Sequence, residues 1–74
     1  MTIETLGKKY PKGTRVKYTG STSMYTIGCE AVKPGDKGTV LGVNSWGDLN
    51  VMWDNGYYIT LEIGVNPFSV LYRE

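Results

Sequence analysis

Hydrophobic and polar side chains alternate along two adjacent stretches in the second half of the chain. Alternation with a period of two is typical of a strand that buries one face. The apolar positions are Leu49, Val51 and Trp53 in the first stretch and Tyr57, Ile59 and Leu61 in the second. Between them stands Asn55-Gly56, which favours a two-residue type I′ turn because both residues accept a positive φ. The pattern predicts a β-hairpin with strands over 49–54 and 57–62.

The same pattern predicts strands nearer the two ends of the chain. In a strand over 14–19, Val16 and Tyr18 face one side, and Arg15 and Lys17 therefore face the other. The last strand is predicted over 68–72, and its side chains on one face are Phe68, Val70 and Tyr72.

One further stretch, over 38–43, breaks the alternation. Val40 and Val43 are three residues apart, and Gly42 lies between them. A glycine inside a strand pattern indicates a β-bulge or a sharp bend. We therefore predict a bulged strand here, followed by a polar turn over 44–48 that carries Trp46.

The first 34 residues contain one helical segment and one long connection. A helix of one or two turns is predicted over 2–10, because Ile3 and Leu6 are three residues apart, Thr2 can cap its start, and Gly7 followed by Pro11 favours its end. Residues 20–34 are rich in Gly, Ser and Thr and are predicted as a long loop. Its apolar residues suggest that the loop folds back on the body of the domain: Met24, Tyr25, Ile27, Ala31 and Val32.

Five short strands separated by turns favour an all-β fold, a small closed or half-closed five-stranded antiparallel barrel with a short N-terminal helix. A chain of 74 residues has room for one domain. We expect a helical segment over 1–10 and the barrel domain over 11–74.

The cysteine and histidine content limits which disulfides, metal sites and catalytic groups the chain can form. Cys29 is the only cysteine and the chain contains no histidine, so one chain has neither an internal disulfide nor the usual Cys/His zinc ligands. Because histidine is also the commonest general base near neutral pH, we expect no enzyme, no cofactor and no metal. Cys29 is expected to be a half-buried residue in a loop. The unpaired cysteine and the lack of a signal-peptide pattern or a long apolar run favour a cytoplasmic protein away from membranes.

Charge is divided unequally between the two halves. The formal net charge is +1, but residues 1–37 carry seven basic and three acidic side chains, about +4, and residues 38–74 carry one basic and four acidic, about −3. This asymmetry either joins the two halves of one domain or attracts a polyanion.

Three hypotheses follow for function, and the oligomeric state stays open. The leading one is a non-enzymatic module that binds a protein or peptide through Trp46, Tyr58 and the loop over 24–32, with Met24 and Tyr25 as contacts. For Trp46, a lid over the end of the barrel is the structural alternative. The second hypothesis is nucleic-acid binding, because tyrosines lie among the basic residues Lys8, Lys9, Lys12, Arg15 and Lys17. The third is a structural module that self-associates through its oppositely charged halves.

The segment around Asn55 also has a purely structural interpretation. Trp53 would pack in the core, and Asp54 would accept hydrogen bonds from turn amides.

Four segments, read in order, resemble a known pattern: 12–16 (Lys-Gly-Thr-Arg-Val), 33–40 (Lys-Pro-Gly-Asp-Lys-Gly-Thr-Val), 51–56 (Val-Met-Trp-Asp-Asn-Gly) and 64–68 (Gly-Val-Asn-Pro-Phe). They are similar to an uncharacterised family of short bacterial and phage proteins described only as a domain of unknown function. The resemblance runs from about Tyr10 to Leu71 and implies an SH3-like barrel without catalytic residues. The chain departs from that pattern at Asn66, where an acidic residue is usual, and in the loop over 24–32. More distantly, the chain resembles mind-bomb-type barrels, which bind peptides, and KOW-type barrels, which contact RNA.

Overall fold

The computed structural model describes residues 3–26 and 28–72, which form one helix and seven strands. In chain order these are α1 (Ile3–Lys9), β1 (Arg15–Tyr18), β2 (Met24–Thr26), β3 (Cys29–Val32), β4 (Lys37–Val43), β5 (Leu49–Trp53), β6 (Tyr58–Leu61) and β7 (Phe68–Tyr72). All five predicted strands and the helix are confirmed. Thr2, the predicted helix cap, lies outside the described residues.

Five strands form one antiparallel sheet in the order β6-β5-β4-β1-β7. Its outer strands, β6 and β7, do not pair with each other, so the sheet is open and the predicted closed sheet is not formed. A separate hairpin of β2 and β3 packs Ala31 and Val32 into the core. The chain therefore shields its core with two layers.

The β2–β3 hairpin replaces the loop that was predicted over 20–34. β2 pairs antiparallel with β3, and Gly28 at the turn has a φ of +74°. Met24, Ala31 and Val32 fold back on the body as expected, since Met24 packs against the core beside the other two. Tyr25, named with them, is instead exposed. Cys29 is exposed on β3 rather than half-buried in a loop. Ile27 lies outside the described residues.

The core lies on one face of the sheet. Its fully buried side chains include Trp53 and Leu49 of β5, Leu61 of β6 and Val16 of β1. The structural role proposed for Trp53 is therefore confirmed, and its indole N–H donates to the Ile59 carbonyl at 3.1 Å. Tyr57, which the alternation assigned to this face, is 39% exposed.

Close packing at Gly38 brings β4 against β5. A Cβ added at this position would lie 2.6 Å from Val51 Cγ1 and 2.9 Å from Trp53 Cε3. Separations below 3.0 Å are not found for real Cβ atoms, so the two core side chains occupy space that only a glycine leaves free. The predicted bulge in β4 is confirmed by a shift of register between Val40 and Gly42.

The turn between β5 and β6 differs from the predicted type I′ turn. The Gly56 N–H donates to the Trp53 carbonyl at 2.9 Å, so Asp54 and Asn55 are the central residues and Gly56 follows them with a φ of +97°. This is the three-residue hairpin loop that ends in a left-handed glycine. The turn shifts because Asp54 still pairs with β4, donating its N–H to the Lys37 carbonyl at 2.9 Å.

A second irregularity reverses the predicted face of Tyr72. Val70 lies opposite Val16, but Tyr72 lies opposite Arg15, so Leu71 is an extra residue in β7. A bulge of this kind shifts the following side chain to the other face. Tyr72 therefore lies on the solvent side of the sheet with Arg15, not with Phe68 and Val70.

Candidate functional site

A groove of about 540 Å³ runs between the β2–β3 hairpin and the edge of the sheet formed by β6. One wall consists of residues 20–25, including Met24 and Tyr25. The other consists of Ile59 and Thr60 of β6 and the turn that follows. Both walls contain hydroxyl groups as well as apolar side chains, so the groove offers polar and apolar contacts side by side.

The first wall is held in place by Tyr18. This side chain is buried, and its hydroxyl donates to the Thr22 carbonyl at 2.6 Å. A Cβ at Gly20 would lie 2.1 Å from the same hydroxyl oxygen, so the segment can pass over the ring only because Gly20 has no side chain. Tyr18 thus connects the groove wall to the core through β1.

The second wall is completed, after Ile59 and Thr60, by a turn over 62–67. The Asn66 side-chain oxygen accepts the Glu62 N–H at 2.8 Å, and the Glu62 carbonyl accepts the N–H groups of Val65 at 3.0 Å and Asn66 at 2.8 Å. These bonds hold the chain in a turn between β6 and β7. Glu62 is the one charged side chain among the residues that line the groove.

The edge of β6 that faces away from β5 carries unpaired backbone groups. The Trp53 N–H donates to the Tyr57 carbonyl at 2.8 Å, and this sets the phase of the β5–β6 ladder. Bonded and non-bonded pairs alternate in an antiparallel ladder, so Ile59 and Leu61 bond to β5 while the N–H and C=O groups of Tyr58 and Thr60 point outward. Within residues 3–26 and 28–72, β6 pairs with no other strand.

The solvent face of the sheet carries a second group of exposed side chains. Across the five strands, the register aligns in one row Tyr58, Met52, Thr39, Arg15 and Tyr72. We call this row and its flanking residues the outer face. Arg15 donates to both carboxylate oxygens of Asp54, at 2.7 and 2.6 Å, and to Thr39 Oγ1 at 2.8 Å. Asp54 therefore pairs with a side chain from the other half of the sequence instead of accepting from turn amides.

This ion pair affects the protonation of both groups. The hydrogen bond to Asp54 raises the pKa of the Arg15 guanidinium, and the same bond lowers the pKa of the Asp54 carboxyl. Tyr72, which lies opposite Arg15 in the register of β1 and β7, also raises the pKa of Arg15. The pair joins the basic and acidic halves within one chain, which is one of the two explanations given for the charge asymmetry.

The structure separates the residues predicted to bind a protein. Met24 and Tyr25 line the groove, while Tyr58 is 53% exposed on the outer face. Trp46 is 85% exposed in the turn before β5, so it is not a lid over the core. Leu61 lies opposite Leu49 in the ladder, so the turn before β5, which carries Trp46, and Glu62, which follows β6, are at the same end of the sheet. Tyr58 lies toward the opposite end, across from Met52.

The basic residues named for nucleic-acid binding are divided too. Lys8 and Lys9 are in α1, where Lys8 lies 3.9 Å from Glu4 and Lys9 lies over the Tyr10 ring. Arg15 and Lys17 are on the outer face, and Lys12 is exposed in the turn before β1.

Sequence reasoning missed the β6 side of the groove and the aromatic end of the outer face, Thr60 and Tyr72 above all. No local pattern shows which strand lies at an edge. Among the described residues, no group of three Cys, Asp or Glu side chains lies close enough to hold a metal ion. The described helix is too short to cross a membrane.

Comparison with protein-family models matches residues 1–71 to a domain of unknown function, DUF4314. Searches of curated proteins and of solved structures gave no match.

Proposed function

The chain belongs to the DUF4314 family, whose description gives no activity, and we propose from the geometry that it binds an extended segment of a partner protein at the β6 edge and the adjoining groove. The observation that carries the proposal is the pair of outward backbone groups on each of Tyr58 and Thr60. An extended peptide that adds a strand to such an edge gains main-chain hydrogen bonds and places alternate side chains into neighbouring pockets.

The composition of β6 supports this function. Exposed edges in natural sheets are commonly protected by charged residues or proline, which block pairing with another chain. The segment Tyr58–Leu61 contains neither. The groove lies directly beside it, so a strand that pairs with β6 contacts Met24 and Tyr25 from the other wall.

Charge indicates the kind of segment that fits. Glu62 is exposed and is the charged side chain of the groove lining, so its carboxylate would attract a basic residue of the bound peptide. The groove runs toward the end of the sheet where Trp46 is exposed, and this ring offers a further apolar contact to a segment that continues past Glu62. The proposed ligand is an extended peptide with alternating apolar side chains and a lysine or arginine.

We further propose that the fold is SH3-like, with residues 11–74 as a single half-open barrel. The strand order β6-β5-β4-β1-β7 and the hairpin inserted between β1 and β4 support this assignment. The proposed activity is binding in the cytoplasm, without catalysis.

A proline substitution tests the edge directly. Thr60→Pro removes an N–H that points away from β5, so it leaves the β5–β6 ladder bonded, and proline is tolerated at such edge positions. Linear peptides selected on the wild-type protein from a random library serve as the probe. We expect Thr60→Pro to weaken their binding about tenfold, the equivalent of one lost hydrogen bond.

Thr60→Val is the matched control, because it keeps the N–H and the shape of the side chain. It should bind the selected peptides as the wild type does. Selected peptides that bind Thr60→Pro with unchanged affinity would show that the edge is not used. A library that yields no binder to the folded wild-type protein would refute peptide binding itself.

A further inference from the structure

Two lysines of the outer face lie directly opposite each other on neighbouring strands. Lys17 of β1 pairs with Lys37 of β4. The Val40 N–H donates to the Thr14 carbonyl opposite it, and the Tyr18 N–H to the Asp36 carbonyl, both at 2.8 Å. Hydrogen-bonded and non-bonded pairs alternate along the ladder, so the pair of Lys17 and Lys37, next to that of Tyr18 and Asp36, is non-bonded. Side chains lie closest in non-bonded pairs, and like charges placed directly opposite are destabilising.

The surroundings of these lysines compensate for the repulsion only in part. Among the described residues neither lysine forms an ion pair, and the carboxylate of Asp54, the residue whose N–H donates to the Lys37 carbonyl, is bonded to Arg15 through both oxygens. Lys37 does act electrostatically on Asp54. The pair nevertheless retains an excess of positive charge on a solvent-exposed part of the sheet.

Aromatic rings flank this charge on the same face. Tyr72 is 57% exposed beside Arg15 at one edge of the sheet, and Tyr58 is 53% exposed beside Met52 at the other. The row between the two rings crosses five strands, roughly 19 Å at the usual spacing of about 4.8 Å. Exposed rings on a sheet surface are suited to stacking with planar groups.

We propose that the outer face binds single-stranded nucleic acid, with Lys17 and Lys37 at phosphates and Tyr72 and Tyr58 stacking on bases. A single strand alternates anionic phosphates with planar bases, so it complements both the lysines and the rings. An acidic peptide would complement the lysines alone. The outer face lies apart from the groove and shares only Tyr58 with the β6 edge. A base would use the ring of Tyr58 and a peptide its backbone groups, so the proposal does not depend on peptide binding.

The affinity for a labelled single strand, measured by fluorescence anisotropy, tests the proposal. The probes are DNA and RNA of mixed sequence, roughly 12 nucleotides long, since a single domain covers about that many or fewer. Two neutralised phosphates give a slope of about −1.4 for the logarithm of the affinity against the logarithm of the salt concentration. We therefore expect binding to weaken about sevenfold between about 50 and about 200 mM salt.

Charge-matched variants locate the site. Lys17→Gln should halve the slope and weaken binding to all sequences alike, while its melting temperature stays the same or rises because the like-charge pair is removed. Lys8→Gln removes the same charge from α1 and should leave affinity nearly unchanged. Tyr72→Leu should weaken binding about fivefold or more through lost stacking.

Three results would overturn the proposal. The first is no binding of either probe at about 20 mM salt, where counterion release is strongest. The second is equal weakening by Lys8→Gln and Lys17→Gln, which would show diffuse attraction to the whole basic half. The third is binding of a poly-glutamate peptide with the affinity of the nucleic acid, because the rings would then have no role.

Discussion

The side chain of Asn55 connects three parts of the molecule, and replacing it by aspartate should destabilise the fold. Its amide nitrogen donates to the Ala31 carbonyl of β3 and to Asp36 Oδ2, at 3.2 Å, in the turn before β4. Its oxygen accepts the Tyr57 N–H at 3.0 Å. Asn55→Asp preserves the last of these bonds but replaces the donor of the first two by an acceptor.

The size of the effect follows from these contacts. Two lost hydrogen bonds cost about 0.5–1.5 kcal/mol each. A carboxylate at this position also lies about 3 Å from that of Asp36, a repulsion of about 1 kcal/mol at the dielectric constant of water. The total is roughly 2–4 kcal/mol, a large part of the roughly 4–11 kcal/mol expected for a domain of this length.

Urea unfolding followed by circular dichroism at pH 7 measures this loss. Asn44→Asp is the matched control, because the Asn44 oxygen accepts from Trp46 and Asp48 and only one weak donor bond, to Asn50 at 3.2 Å, is lost. We expect a change below about 1 kcal/mol for the control. The repulsion raises the folded-state pKa of the introduced carboxyl above its ordinary value of about 3.9, so the penalty should shrink as the pH falls through that raised value and stop changing below about 3.9. Equal stability of the two variants would refute the proposed link between the turn and β3.

Four other substitutions test the packing, the charges and the exposed tryptophan. Gly38→Ala should destabilise by about 1–3 kcal/mol because its Cβ collides with β5, whereas Gly7→Ala, with nothing within 4 Å in α1, should stabilise by up to about 1 kcal/mol; thermal unfolding measures both. Asp54→Asn should cost no more than about 1 kcal/mol near pH 7, because Asp54 is 55% exposed and its ion pair is screened. The folded state lowers the pKa of Asp54 below its ordinary 3.8, so the ion pair stabilises the fold above that pH, and its contribution is lost as the pH falls through the lowered value. The difference in unfolding free energy between Asp54→Asn and the wild type should disappear there. A difference that stays constant with pH would contradict the role of the pair. Trp46→Ala should change the unfolding free energy by less than about 0.5 kcal/mol, since the ring is 85% exposed, yet weaken binding of the selected peptides; a large loss of stability would show that the ring is part of the core.

Local patterns predicted the strands well because each strand buries one face. Val16 and Tyr18 are buried and alternate with the less buried Arg15 and Lys17, as a half-buried strand requires, and Trp53 follows the same rule in β5. The β2–β3 hairpin lacked this signal, because its strands have three and four residues and only Ala31 and Val32 are buried. In strands of this length the alternation of buried and exposed residues repeats too few times to distinguish a strand from a loop.

Features that depend on distant residues were not predictable. The hairpin turn shifted because Asp54 pairs with β4 and Arg15, and neither contact is visible in the residues around Asn55. Which strand lies at an edge depends on the order of all five, so the role of Thr60 was missed. For the groove, the sequence indicated Met24 and Tyr25 because apolar residues in a polar segment are noticeable wherever they lie.

The contact at Gly38 restricts how members of this family can diverge. Since Val51 Cγ1 and Trp53 Cε3 already fill the space in front of this residue, alanine or anything larger can be accepted only together with smaller residues at both 51 and 53. Substitutions at these three positions should therefore be correlated across an alignment of DUF4314 sequences. A lineage that keeps the tryptophan should also keep the glycine.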